Sequence, residues 1–283
     1  MPINDSRGNE LLSRKEAIHF LKIEEKNFDN YHKNSGEIKG EKIRNRWYFN
    51  KNMLEEWLKQ KNCRMVYLSM EDYEKCFEFA IKMAYGGLSL NGPRGQRSEV
   101  QAASDIILGI LAEHAIKKFL KEKFDIQIEL DQEVHTEYIT PQDFHKIHDN
   151  GKLRNPRIGV GVKSSKMKNA YLVLGDKEVE DDIRKSNAYI FARVDLPSDH
   201  LFRILRDHSF FKRVKNCLEN DEKSKKIGEL NEIPVWICGI TYIEELEKKT
   251  EIKGQKFVDY RYVKSVANMH NSESDWISFT ERL

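Results

Sequence analysis

Three side chains draw attention by their type and position: Glu113, Asp143 and Lys163. Glu113 shares a helical column with Ile106, Ile110 and Ile116, so a carboxylate interrupts an apolar stripe. Either it pairs with Lys117 at i, i+4, a contact worth about 0.2–0.5 kcal/mol, or its helix delivers it to a metal site at the edge of a sheet. Asp143 follows the proline-marked strand start Thr140-Pro141-Gln142, where it serves as a turn former or as a ligand. Lys163 lies near the end of Arg157-Ile158-Gly159-Val160-Gly161-Val162-Lys163-Ser164-Ser165-Lys166. Strand alternation puts Ile158, Val160 and Val162 on one face and Gly159, Gly161 and Lys163 on the other. Two glycines beside the lysine are expected to leave room for a ligand that must come close; otherwise Lys163 is an exposed strand end.

The elements that would position these groups follow from the apolar pattern. Ser98 opens a long helix to about Lys123, and Ile126–Leu130 alternates as a strand. Further strands are expected at 142–147, 157–163, 170–174, 188–195 and 234–241, with helices around 199–219. This sequence of elements indicates a mixed α/β domain with a central sheet over residues 98–283. Residues 62–97 read as a helical connector that stops at Gly86-Gly87, followed by the loop containing Arg94 and Arg97. The run Glu178, Glu180, Asp181 and Asp182 reads as a solvated face. The carboxyl-terminal stretch with Tyr260-Arg261-Tyr262 either reads base edges or completes the sheet.

Composition narrows the class. In 283 residues, 39% are apolar and 33% charged, and no run approaches a membrane span, which points to a soluble chain, with the cytoplasm the expected location. His135, His145 and His148 lack zinc-site spacing, and Cys63, Cys76, Cys217 and Cys238 are too scattered for a metal knuckle, so they are expected to be reduced thiols. Net charge is only +2, from 48 Lys and Arg against 46 Asp and Glu, so the distribution of charge is more informative than its total.

That distribution favours the first 61 residues. Ser13 and Glu16 form a capping box ahead of Ala17, Ile18, Phe20 and Leu21. A second helical stretch runs from Lys26 to Lys33 and is ended by Asn34-Ser35-Gly36. Two short strands follow around Ile43 and Trp47-Phe49, then an amphipathic helix bearing Met53, Leu54, Trp57 and Leu58. Residues 36–51 hold five basic groups against two acidic ones. Leu12–Ala17, Asn45–Phe49 and Leu54–Leu58 together resemble the excisionase-like and MerR-like winged helix-turn-helix family over roughly residues 11–61. The resemblance implies that Lys26, Asn27, Asn30 and Lys33 lie near the bases and that Arg44 and Arg46 sit on a wing against the adjoining DNA backbone or minor groove. A charged turn on a small protein-binding domain is the other reading of the same residues.

Glu113 on a helix, Asp143 at a strand start and Lys163 on a following strand resemble the PD-(D/E)XK nuclease superfamily, and within it the type II restriction endonucleases, over about Ser98–Leu196. The resemblance implies a restriction-endonuclease-like α/β domain in which Asp143 and Glu113 bind Mg²⁺ and Lys163 positions the attacking water or helps to deprotonate it. Phosphodiester hydrolysis needs such a set, a hard cation on oxygen ligands with a positive charge near the nucleophile. The sequence departs from the pattern at Gly161, where the superfamily has an acid; Glu113, Glu133 and Asp149 are the candidates to fill that gap in space.

The expectation is therefore a Mg²⁺-dependent, sequence-specific endonuclease acting on double-stranded DNA as a homodimer, in a restriction-modification system with a cognate DNA methyltransferase. A DNA-binding regulator with a degenerate nuclease domain, and a repair or junction nuclease, are the alternatives.

Overall fold

The computed structural model describes residues 3–4, 7–86, 99–131, 142–149, 151–204 and 230–283. Arg94, Arg97, Glu133 and Cys217 lie outside the described residues.

The chain opens with strands β1 (Ile3–Asn4) and β2 (Glu10–Ser13) and helices α1 (Arg14–Leu21) and α2 (Glu25–Asp29), α2 running on into a wider helical turn, Asn30–Asn34. The expected capping box is present: Glu16 N donates to Ser13 Oγ while Ser13 N donates to Glu16 Oε2 at 2.7 Å. Strands β3 (Glu41–Ile43) and β4 (Arg46–Asn50) form a hairpin whose two-residue loop, Arg44-Asn45, has φ of 46° and 66°. That left-handed pair is the tight turn that matches strand twist, and it presents Arg44 and Arg46 to solvent. Helix α3 (Lys51–Cys63) closes this unit and is capped by Asn50 Oδ1, which accepts from Met53 N. The four strands pair in the order β1-β2-β4-β3.

After α3 the chain forms β5 (Met65–Ser69), α4 (Met70–Gly86), α5 (Glu99–Phe124), β6 (Gln127–Leu130), β7 (Phe144–Asp149), β8 (Lys152–Arg154), β9 (Val160–Lys166) and β10 (Tyr171–Leu174). Then come α6 (Asp176–Val179), β11 (Ala188–Val194), α7 (His200–Ile204), β12 (Glu232–Tyr242), β13 (Glu247–Ile252), β14 (Gln255–Ser265) and α8 (Glu273–Arg282). The architecture is mixed α/β around a mixed central sheet of order β5-β12-β11-β9, in which only β11 and β9 are parallel. Residues 65–69, expected in a helical connector, instead pair with Glu232–Trp236 as an edge strand. Val66 and Leu68 turn inward while Tyr67 faces out, a half-buried pattern that suits an edge. Tyr260 and Tyr262 lie in β14, within the three-stranded sheet β10-β14-β13.

Every residue of β11 is buried, because both faces of the sheet are covered. Ala188, Ile190, Ala192 and Val194 join Val160, Val162, Val235 and Ile237 in a core with α4, α5 and α8. Tyr189 and Phe191 join Trp236, Leu172 and Leu174 in a second core, which also takes Ala17, Phe28, Tyr31, Phe49 and Leu54 from the amino-terminal unit. The amino-terminal unit thus shares apolar surface with the central sheet. Arg193 of β11 points the same way, and its guanidinium forms a bidentate, nearly fully buried ion pair with Glu37 at 3.1 Å while stacking on Trp236.

No described helix is long and apolar enough to cross a membrane. Cys63, Cys76 and Cys238 are free thiols.

Candidate active site

Strand β9 is the outer strand of the central sheet, so one side of its backbone has no neighbouring strand within that sheet. Residues 142–143 use that open side. Asp143 N donates to Val160 O at 3.2 Å, and Asp143 Oδ2 accepts from Val162 N at 2.5 Å. The aspartate is thereby fixed against the strand that carries Lys163. Helix α5 packs across β9 and brings Glu113 to the same place, where the charges acting on it are those of Asp143, Lys163 and Asp131. The three residues singled out in the sequence therefore lie together at the sheet edge. Lys117, the local alternative partner of Glu113, is exposed.

A fourth residue belongs with them. Lys163 Nζ donates to Glu178 Oε1 at 2.8 Å. Glu178 was expected on a solvated face; instead, the one-turn helix α6 folds it back over β9. Its other oxygen accepts from Gly175 N, and its backbone carbonyl accepts from Tyr189 Oη at 2.6 Å. Two residues on, Glu180 accepts hydrogen bonds from Lys248, Tyr260 and Tyr262, which hold its pKa down to about 2 and tie α6 to strands β13 and β14.

Gly159, just before β9, and Gly161 within it do not leave open space, contrary to expectation. A Cβ at Gly159 would fall 2.6 Å from the side chain of Gln142, and one at Gly161 would lie 2.9 Å from Ser186 Oγ and 3.0 Å from the ring of Tyr189. An acid at position 161 has no room, and Glu178 brings a carboxylate to Lys163 from above. Of the other candidates for the missing acid, Asp149 is held by Arg154 at 2.8 Å in the β7–β8 hairpin.

The electrostatics of the group follow from crowding charges in a partly dry place. Burial and the repulsion of Asp143 push the Glu113 carboxyl well above the usual range. Burial also raises Asp143, against the pull of Lys163 and the hydrogen bond from Val162. Burial acts to lower Lys163, but the carboxylates of Glu178 and Asp143 outweigh it, and the net shift is upward. Lys163 is therefore an ammonium at neutral pH, suited to stabilising negative charge and unsuited to removing a proton.

Glu113 and Asp143 offer only oxygen donors at this sheet edge, which fits Mg²⁺. Among the described residues no three acidic, histidine or cysteine side chains gather around a single point. Mg²⁺ does not require that, since it keeps several waters and is held through one or two carboxylates plus substrate phosphates. A cleft of about 450 Å³ lined by Gln142, His145, Asn155 and Asn187 opens beside this edge.

In the amino-terminal unit Lys26, Asn27, Arg44 and Arg46 are exposed. Lys33 pairs with Asp29 at 3.0 Å, and Asn30 Oδ1 accepts from Asn34. Comparison with models of known protein families, with curated proteins and with solved structures gives no match to this chain.

Proposed function

We propose that the chain is a Mg²⁺-dependent, sequence-specific endonuclease of double-stranded DNA, of the type II restriction kind. The observation that supports this best is the meeting of Glu113, Asp143 and Lys163 at the open edge of β9, with Glu178 supplying the acid that Gly161 lacks. Asp143 and Glu113 would hold Mg²⁺, which when bound polarises the scissile phosphate and lowers the pKa of water. Lys163, kept charged, faces the developing negative charge of the pentavalent phosphate. Glu178 fixes the Lys163 ammonium in position until a phosphate takes its place. Exposed Arg44 and Arg46 of the wing supply backbone contacts, and Lys26 and Asn27 supply base contacts. Two copies, each cutting one strand, suit a palindromic site; a cytoplasmic enzyme of this kind needs a methyltransferase that shields host sites.

The second reading, a DNA-binding regulator without activity, draws on Gly161 and on the closed Lys163–Glu178 pair. A plasmid-cleavage assay with Mg²⁺ and with EDTA separates the two. Discrete bands that require Mg²⁺ and disappear in Asp143→Ala and Lys163→Ala support the endonuclease. Undiminished Mg²⁺-dependent cutting in both variants overturns the site, and no cutting by the intact chain favours the regulator. Activity restricted to branched DNA without sequence preference would instead indicate a repair or junction nuclease.

A further inference from the structure

Arg64, at the junction of α3 and β5, is a cation buried without a carboxylate. It is 7% exposed, and its guanidinium is held by two backbone carbonyls, Nε donating to Ile237 O at 3.2 Å and Nη1 to Asn271 O at 2.5 Å. Neither bond uses Nη2, and no acid pairs with the group among the described residues; Glu37, whose charge reaches it, is bound to Arg193. A buried charge ordinarily has a partner of opposite sign. Arg64 lines a cavity of about 530 Å³ between α3, the end of α5 and the start of α8. Lys59 of α3 and Lys123 of α5, both exposed, stand at the same cavity, and the acids of its lining are Glu56, which accepts from Gln60, and Glu273. Asp275 caps the start of α8 by accepting from Asn271 N and Ser272 N, and its own N–H goes to Ser272 Oγ. The N–H groups of Glu273 and Ser274 in that first turn have no partner inside the helix.

We propose that this cavity binds a nucleoside phosphate, with the phosphate between Arg64, Lys59, Lys123 and the start of α8 and the base against the aromatic wall. That wall is made by Phe119, Phe124 and Trp276, which pack ring to ring at 4.9–6.3 Å. The indole Nε1 of Trp276 is buried and has no acceptor. One ligand answers both vacancies, a phosphate for the unpaired guanidinium and a polar atom for the indole N–H. Guanidinium and helix amides are the donors that suit phosphate, and a base is the planar group that stacks on an aromatic ring. The volume falls within the range of small-molecule sites. None of the lining residues belongs to the group around Lys163, so the inference does not depend on the nuclease reading. A ligand there would join α3 of the amino-terminal unit to α5, the helix that carries Glu113.

The test titrates the full chain by calorimetry, in EDTA, with AMP, GMP, CMP and UMP in turn, and with inorganic phosphate and adenosine as the separate halves of the ligand. At least one nucleotide is expected to bind with a Kd of about 1 mM or tighter, and at least about tenfold more tightly than phosphate or adenosine. The double variant Lys59→Ala/Lys123→Ala is expected to weaken that binding by about tenfold or more and to leave the melting temperature of the unliganded chain unchanged, because both side chains are exposed. Arg64→Met is expected to abolish binding; if it does not fold, the lysine variant decides. Cys63, an exposed thiol on the same lining, gives a local readout. Saturating nucleotide should slow its alkylation by iodoacetamide, followed on the Cys63 peptide by mass spectrometry. Absence of binding by every nucleotide, full binding by the lysine variant, phosphate or adenosine alone binding as tightly as the nucleotide, or unchanged alkylation of Cys63 at saturation would each overturn the proposal.

Discussion

The carboxylate of Glu178 stands 2.8 Å from the ammonium of Lys163, although 15 residues separate them and they lie on different elements. This contact explains how a strand with glycine at position 161 keeps an acid next to its lysine. Glu178→Gln is expected to lower Mg²⁺-dependent cleavage by about 10–100-fold, the range seen when groups that orient a metal site are lost, with DNA binding in EDTA unchanged. Single-turnover cleavage and filter binding measure the two separately, and unchanged cleavage would mean that Glu178 only neutralises Lys163.

Glu113 is a carboxyl held in surroundings that disfavour its charge. Its carboxyl pKa is raised by burial and by Asp143, so its contribution to stability is fully present below the unfolded value and is lost as pH rises through the folded one. At pH 8 in EDTA, Glu113→Gln is expected to be more stable than the parent by about 1 kcal/mol, roughly 2–4 °C in Tm. Mg²⁺ should raise the melting temperature of the parent and leave that of the variant unchanged. Thermal unfolding with and without Mg²⁺ measures this; equal Mg²⁺ shifts would take Glu113 out of the metal site.

Restoring the acid of the sequence motif should fail. Gly161→Asp drives a side chain into Ser186 and Tyr189, at 2.9 Å and 3.0 Å from the first added carbon alone. A loss of about 1–3 kcal/mol is expected from such overpacking, with no gain in cleavage. Urea denaturation reports the first and the plasmid assay the second.

A pH effect is expected from a residue outside the site. His200 is buried, with Tyr73 Oη 2.5 Å from Nδ1 and Ser104 Oγ 3.0 Å from Nε2, so α7 is joined to α4 and α5 through one ring. Burial drops its pKa to about 4. The unfolded chain thus binds a proton that the folded chain refuses between about pH 6.5 and 4, and stability falls as pH is lowered through that window. In His200→Asn the dependence of unfolding free energy on pH across the same window should be shallower by up to about 1.4 kcal/mol per unit. An unchanged slope would show that another group carries the effect.

The buried pair between Arg193 and Glu37 should be costly to break and cheap to replace. Glu37→Ala leaves a guanidinium without its partner inside the protein, at an expected cost of about 3–5 kcal/mol, whereas Arg193→Met with Glu37→Leu should come near the parent. Urea titrations of the three proteins measure this, and a double variant as weak as the single one would contradict it.

Much of the site is visible in the sequence because its parts obey local rules. Glu113 shows itself by breaking an apolar stripe at helical spacing, and Lys163 by its place in a strand whose alternation is clear, although that strand runs on past it to Lys166. Glu178 is hidden because its setting is non-local: it sits in a run of four acids, and Glu180 of that run folds onto Tyr260 and Tyr262, some eighty residues away. Strand β5 is hidden for a related reason. Met65–Ser69 holds the strand formers Val66 and Tyr67, but it is a five-residue stretch wedged between helices α3 and α4, and it is pairing with residues 232–236 that fixes its state. The amino-terminal unit is legible as a set of elements, but its attachment is not, because Arg193 and Trp236 carry no mark of the surface that covers them.

That attachment bears on how the protein can be engineered. A reader domain joined by a tether can be exchanged for another to redirect an enzyme to new addresses. Here an exchange would remove Glu37, Tyr31 and three carbonyl acceptors at once, stranding Arg193 and baring the aromatic floor around Trp236. On the proposed function, retargeting by modular swapping is therefore closed, and new specificity would have to be introduced in place, side chain by side chain, along the exposed start of helix α2.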